Sequence, residues 1–461
     1  MDKDEKAKLY NLIVKRTSEH TLLERMRLYG FWPQAEDLPA DPPDEAQERA
    51  RLVQALGELS RTQGQAVDPE RALAEERKRR WAESKQRRAE ARAQREAGLE
   101  ARRQAYAAYR ADRIVHAGEG VSAGLQAGES DVARLEAHGL PVLRDAGELA
   151  KALGVTLSTL RWLTYHRRGA TLVHYHRFEI PKKTGGQRLI SAPKPALAGA
   201  QRWVLANLLE KLEPDAAAHG FVARHSIVSN AAPHTGRQVV LNVDLKDFFP
   251  SISFRRVKGL FHKLGYSEHL STVLGLLCTE PPRVPFEHEG KVYFVALGER
   301  RLPQGACTSP AITNAICRRL DRRLAGIARR HGFAYTRYAD DLTFSGDLAQ
   351  AAGRLLRSVR GILQGEGLTE NAAKTRVMRR SRRQEVTGLT VNQSATLPRA
   401  ARRALRALLH NVARDGLAAQ NRGAHPNFAA HLRGLVAFAC MVDPRRAEVW
   451  REELRRALAR S

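Results

Sequence analysis

The run Phe333-Ala-Tyr335-Thr-Arg337-Tyr338-Ala-Asp340-Asp341-Leu-Thr-Phe344 constrains this chain more than any other stretch. It places two adjacent carboxylates within an aromatic and β-branched segment. Phe333, Tyr335, Arg337 and Ala339 share one parity, and Tyr338, Asp340 and Leu342 share the other. Such alternation suits strands, so the run predicts a hairpin with the two acids at its tip. Neighbouring carboxylates repel, and bound divalent cations would remove that repulsion. Two Mg²⁺ ions ~4 Å apart are a common clamp for in-line phosphoryl transfer, and they draw carboxylates from separate chain segments.

A third acid lies upstream. Val239-Val-Leu-Asn-Val243-Asp244 reads as a buried strand that ends in a carboxylate. The chain then turns at Pro250-Ser251 and enters a helical pattern with Phe254, Val257, Leu260, Phe261 and Leu264 on one face. A buried Asp is costly unless it is paired or binds a metal. Read separately, Asp244 could be a helix N-cap and Asp340-Asp341 an ordinary turn. Read together, they predict a three-carboxylate cage open to substrate phosphates.

These residues resemble the reverse transcriptases with a Tyr-Ala-Asp-Asp box, and several blocks follow in the family's order. Phe178 to Ile190, with Lys182, Lys183, Gly185, Gly186 and Arg188, resembles the fingers hairpin. Asp244 to Phe249 resembles the first palm motif. Leu302-Pro-Gln304-Gly305-Ala-Cys307-Thr-Ser309-Pro310 resembles the second, with Cys307 where Pro is common. Tyr338 to Asp341 is the third, and Leu368 to Thr375, with Lys374, is the fourth. Asn230-Ala-Ala-Pro-His234 and Val386-Thr387-Gly388 are similar to elements of the retron reverse transcriptases, as is Leu160-Arg-Trp162-Leu-Thr-Tyr165-His166. The resemblance covers roughly residues 115 to 461 and is strongest to the long, extended enzymes of myxobacterial type.

The resemblance implies an α+β right-hand polymerase fold: fingers, a palm with an antiparallel sheet, and a helical thumb, preceded by a helical extension. Asp244, Asp340 and Asp341 would be catalytic and, with Leu245, would hold two Mg²⁺ ions. One ion would activate the primer hydroxyl and the other would stabilise the leaving pyrophosphate. Lys183, Arg188, Phe249, Gln304 and Lys374 would bind the dNTP. Arg188 suits a bidentate phosphate contact. Phe249, five positions after Asp244, stands where the family places its sugar gate, with core packing as the competing role. Lys374 is either a proton donor to pyrophosphate or a surface lysine. Asn230, His234, Val386, Thr387 and Gly388 would recognise RNA. For Asn230 and His234, capping a turn or satisfying buried backbone groups is an equal alternative.

As for function, the resemblance implies reverse transcription of a cognate structured non-coding RNA. Synthesis would be primed from an RNA 2′-hydroxyl and would give branched RNA-linked single-stranded DNA (msDNA). It also implies a place in anti-phage defence with a separate effector protein. The alternatives are a group II intron-like or diversity-generating reverse transcriptase and, from another class, a non-catalytic basic RNA-binding scaffold.

Composition agrees with a polyanionic partner. Lys plus Arg number 77 against 50 Asp plus Glu, a formal charge of +27. The four cysteines lack Cys-x-x-Cys spacing, which argues against zinc and against a disulfide framework. The start lacks a signal-peptide core, and no apolar run approaches the ~20 residues that span a bilayer. A cytoplasmic protein with no membrane partner is expected.

Four regions are expected: a basic helical extension at 1–113, a linker with short helices at 114–170, fingers and palm at 171–395, and a helical thumb at 396–461. Within the extension, residues 1 to about 60 suggest one or two short helices. Residues 71–113 carry 14 basic and 7 acidic residues and read as a long solvated helix.

Overall fold

A computed structural model describes residues 51–52, 54–56, 58, 69–111, 113–125, 128–182 and 185–459. Of the short helices expected within residues 1 to about 60, only 51–52, 54–56 and 58 are described, and these are helical; the rest lies outside that range. The chain divides into two compact units, 1–114 and 115–461.

In the first unit, Pro69–Ala111 forms one 43-residue helix, as the Ala, Arg and Glu-rich composition predicts. Its face is laced by pairs such as Arg80 with Glu76 and Arg92 with Glu96. Pairs of this kind each add a few tenths of a kcal/mol.

In the second unit, two short helices, Ala146–Ala152 and Leu157–Thr164, flank Gly154. Strand β1 (Gly169–Ala170) precedes the hairpin of β2 (Tyr175–Pro181) and β3 (Gln187–Pro193), whose turn holds Gly185 and Gly186 at positive φ. The segment Ile227–Ala231 is helical and runs into a tight turn, Ala232–His234. Next comes β4 (Val239–Asp244), followed by the helices Phe254–Lys263 and Glu268–Cys278. Strands β5 (Arg283–His288) and β6 (Lys291–Ala296) form a small sheet with β1. After the helix Thr308–Arg330 come β7 (Phe333–Tyr338) and β8 (Asp341–Gly346), then the helix Ala352–Gly365 and β9 (Arg376–Arg379). A short hairpin, β10 (Glu385–Val386) and β11 (Leu389–Thr390), leads to the helices Arg399–Asp415, Phe428–Val442 and Ala447–Ala459.

The central sheet has the order β7-β8-β4-β9, every neighbour antiparallel. Its two faces enter different cores because side chains alternate along each strand. Val239, Leu241, Val243, Phe333, Leu342 and Phe344 pack with Leu320, Leu324, Leu355 and Val359 of two helices. Val240 turns to the opposite core, with Ala231, Val386, Leu389, Leu409, Leu432 and Trp450. That second core welds the final helices to the sheet. Each such aliphatic side chain, fully buried, contributes roughly 1.5–3 kcal/mol.

Candidate active site

Register decides the geometry. Asp244, the last residue of β4, lies directly opposite Asp341, the first residue of β8. Directly opposed residues share a face with Cβ atoms about 4.5–5.5 Å apart. Asp340 occupies the two-residue turn between Tyr338 and Asp341. That turn requires Ala339 at φ +57°, a left-handed conformation that costs a non-glycine residue on the order of 1–3 kcal/mol. The Leu245 amide donates to the Asp340 carbonyl at 3.0 Å, tying the turn to the end of β4. The three acids predicted from separate segments therefore meet at one end of the sheet.

Electrostatics register the crowding. Burial pushes the Asp341 carboxyl up to about 6; Asp340 and Asp244 add to the push, and Lys374 eases it. Asp340 is raised as well, by burial first and by Asp244, with Lys374 and Arg188 opposing. Burial and like charge both disfavour the ionised form. Asp244 has more help: its carboxylate accepts from Asn371 Nδ2 at 2.9 Å and from Lys374 Nζ at 3.2 Å. The Asn371 amide also donates to the Asp244 carbonyl at 2.8 Å.

This is a hard, oxygen-only donor set, the kind that suits Mg²⁺. Among the described residues, no three His, Cys, Asp or Glu side chains close tightly enough on one point to hold an ion unaided. Mg²⁺ seldom needs such a cage, because it keeps waters and takes substrate phosphates beside one or two carboxylates. The residues fit the group on those terms.

Of the residues expected around the nucleotide, Arg188 is exposed on β3, and its charge reaches Asp340. Lys183 lies outside the described residues. Gln304 is half-buried, and its carbonyl accepts from the Ser191 amide at 2.7 Å, which joins its loop to β3. Gly305 permits that approach: a Cβ there would lie 2.8 Å from Ile190 Cγ2 and 3.0 Å from the Ser191 carbonyl oxygen. Phe248 is in the core, whereas Phe249 is only half-buried. Of the two rings, Phe249 is the more exposed.

The residues expected to recognise RNA are also gathered together, but differently. Thr387 and Gly388 form the two-residue turn of the β10–β11 hairpin, at φ +44° and +81°. Paired positive φ values at both central positions mark a type I′ turn, which explains the glycine. Thr387 Oγ1 donates to the Ile227 carbonyl at 3.2 Å, so this hairpin touches the start of the helix that carries Asn230. Asn230 and His234 are fully buried, and so is Val386. His234 spans the back of the sheet, with Nδ1 2.7 Å from Ser345 Oγ and Nε2 2.8 Å from Thr336 Oγ1. Burial lowers its pKa to about 3, with His219 and Arg237 adding to the effect, so the ring is neutral. RNA reading by the side chains of Asn230, His234 and Val386 does not fit this placement. The His234 ring satisfies two buried side-chain hydroxyls rather than the turn or the backbone groups expected as the alternative.

The sequence reading missed a buried support behind the acids. Arg337 makes a bidentate contact with Asp321, its Nε and Nη2 donating at 2.8 and 2.7 Å, and Nη1 donates to Asn314 Oδ1 at 2.9 Å. Tyr335 donates to the same Asp321 at 2.8 Å. Arg337 and Asp321 are both 0 % exposed. A signal was available: Asp321 falls on the helix stripe of Cys317, Leu320, Leu324 and Ala328, and Arg337 shares the parity of Phe333 and Tyr335.

Comparison with known proteins decides the family. The family described as reverse transcriptase (RNA-dependent DNA polymerase) matches residues 180–391. The Retron Mx162 reverse transcriptase of Myxococcus xanthus is 45% identical over 372 residues, 76% of this chain and 76% of its own length. The chain belongs to the retron reverse transcriptases. Two further relatives are the Retron Mx65 reverse transcriptase of Myxococcus xanthus and the Retron Ec86 reverse transcriptase of Escherichia coli. The first is 49% identical over 69% of this chain and 73% of that protein. The second is 34% identical over 67% and 88%. This retron enzyme is an RNA-directed DNA polymerase with the α+β polymerase fold expected for it. Among the described residues no helix is long and apolar enough to cross a membrane.

Proposed function

We propose that this polymerase copies a cognate structured non-coding RNA into DNA, priming from an RNA 2′-hydroxyl to give msDNA, and serves cytoplasmic anti-phage defence beside a separate effector. The observation that carries the catalytic part is the register: Asp244 faces Asp341, and Asp340 stands in the turn between the strands. Two Mg²⁺ ions held by Asp244, Asp340, Asp341 and the backbone of Leu245 would supply the positive charge that phosphoryl transfer requires. Lys374 orients the Asp244 carboxylate, and its ammonium stands ready to protonate pyrophosphate. Arg188, flanked by Lys183, grips the triphosphate from the fingers hairpin, and Gln304 touches the nucleotide from the loop beneath β3. Phe249 closes the space that a 2′-hydroxyl would need. The turn of half-buried Thr387 and exposed Gly388 is the part of the retron elements left to meet RNA.

Extraction of nucleic acid that co-purifies with the enzyme tests the reading. RNase should leave a single-stranded DNA bearing a short RNA stub, and debranching enzyme should change its mobility. Recovery of unbranched DNA would remove the 2′-priming, and failure of the purified enzyme to extend any primed RNA with Mg²⁺ and dNTPs would remove the polymerase assignment. Phe249→Ala should admit rNTPs; unchanged sugar discrimination would exclude Phe249 as the gate.

A further inference from the structure

Phe221 is a bulky residue at φ +60°, and it is left 57 % exposed. A large side chain in that region of backbone space is an outlier, and glycine would hold the same conformation with less strain. Strain of this kind persists where surrounding structure enforces it, and it gathers at functional sites. Here the enforcement is visible. The Arg337 amide donates to the Ala217 carbonyl at 2.7 Å, and the His219 amide donates to the Arg337 carbonyl at 2.8 Å. Asn314 Nδ2 donates to the Gly220 carbonyl at 2.9 Å. Gly220 presses so closely on the turn bearing Asp340 that a Cβ would lie 2.4 Å from the Ala339 nitrogen. The loop is thus fastened to β7 and to the turn that holds Asp340, and it delivers Phe221 to the side of the acids. The Phe221 ring centroid lies 6.3 Å from that of Phe249 at a tilt of 48°. Phe221, Asp247 and Ala339, all left-handed and none of them glycine, lie in three segments that border the acids.

Burial of the ring within the chain does not repay this conformation, because more than half of the residue remains open. We propose that Phe221 contacts the substrate: with Phe249 it forms a two-ring wall against the sugar and base of the incoming deoxynucleotide. The inference rests on the polymerase reading and adds a nucleotide-contacting residue that the motif blocks do not contain. An open aromatic face gives an apolar surface on which a sugar edge or a base can pack. Loss of the ring should therefore weaken nucleotide binding and loosen the seating of Phe249.

The test uses the full-length enzyme on a primed RNA template, with single dNTPs and their rNTP counterparts. Phe221→Gly keeps the left-handed backbone and deletes the ring. It should raise KM for dNTP about tenfold or more, lower the preference for dNTP over rNTP several-fold, and leave Tm equal or higher. Phe221→Leu, which keeps the strain and part of the apolar surface, should fall between wild type and Phe221→Gly in KM. A KM within twofold of wild type and unchanged sugar preference in both variants would overturn the proposal. So would a lowered Tm in Phe221→Gly, since the ring would then serve packing. Wild-type enzyme that extends no primer would instead defeat the polymerase reading, an outcome distinct from either.

Discussion

The two faces of the central sheet use polar residues in opposite ways. On the face toward the helix Thr308–Arg330, the charged pair Arg337 and Asp321 is sealed from water and bonded at nearly every valence, with Tyr335 and Asn314 completing it. On the other face, Asp244 and Asp341 stand at the open end of the same sheet, and burial and mutual repulsion raise the Asp341 carboxyl. Further along that face His234 is again fully satisfied. The comparison teaches that satisfied polar contacts surround a cluster whose carboxylates repel one another. A site that must receive positive charge and phosphate gathers like charges, and rigid neighbours keep it from relaxing.

The sharpest way to break this contrast is Asp340→Asn. Losing several kcal/mol of charge stabilisation in the transition state should cut primer extension by about 10³-fold or more, while thermal stability is held or improved because a repelling charge is gone. Activity near wild type would end the catalytic assignment. On the opposite face, Arg337→Leu should lower stability by about 3–5 kcal/mol, since it leaves Asp321 buried and unpaired. The double variant Arg337→Leu with Asp321→Leu should recover much of that loss in denaturant unfolding. No recovery would mean that the pair is not coupled as drawn.

His234→Ala should cost about 1–3 kcal/mol by stranding the hydroxyls of Ser345 and Thr336. It should also change the response to acid. The buried ring titrates at about 3 in the folded chain and near its ordinary ~6.5 when unfolded. Its contribution is present above pH ~6.5 and is lost as pH falls toward 3, with a slope of about 1.4 kcal/mol per pH unit. Unfolding curves across that window should be less acid-sensitive in His234→Ala, and identical slopes would show that the ring is not buried neutral. The smallest effect is expected from Lys374→Met. With Asn371 still holding Asp244, synthesis should fall about tenfold, or 1.4 kcal/mol, and a loss as large as that of Asp340→Asn would place Lys374 among the indispensable groups.

Much of the fold was legible because alternation is a local signal. The strand ending at Asp244, the hairpin through Asp340 and Asp341 and the long helix at Pro69–Ala111 follow from periodicity and composition. The partners of polar residues were less legible. Asn230 and His234 look alike whether they face RNA or the interior; burial separates the two readings, and for His234 so do its bonds to Thr336 and Ser345. Asp321 and Arg337 are 16 residues apart in the chain, and no local pattern says that they meet.

By itself the sequence determined which segments become strands and helices and which residue types carry phosphoryl-transfer chemistry, since both depend on neighbours a few residues apart. The tertiary structure decided that Asp244 faces Asp341, that His234 is buried, and that Phe221 is held open beside Phe249. The reason is physical: register, burial and close backbone approach arise from contacts between segments about 100 residues apart, and those contacts exist only once both cores have closed.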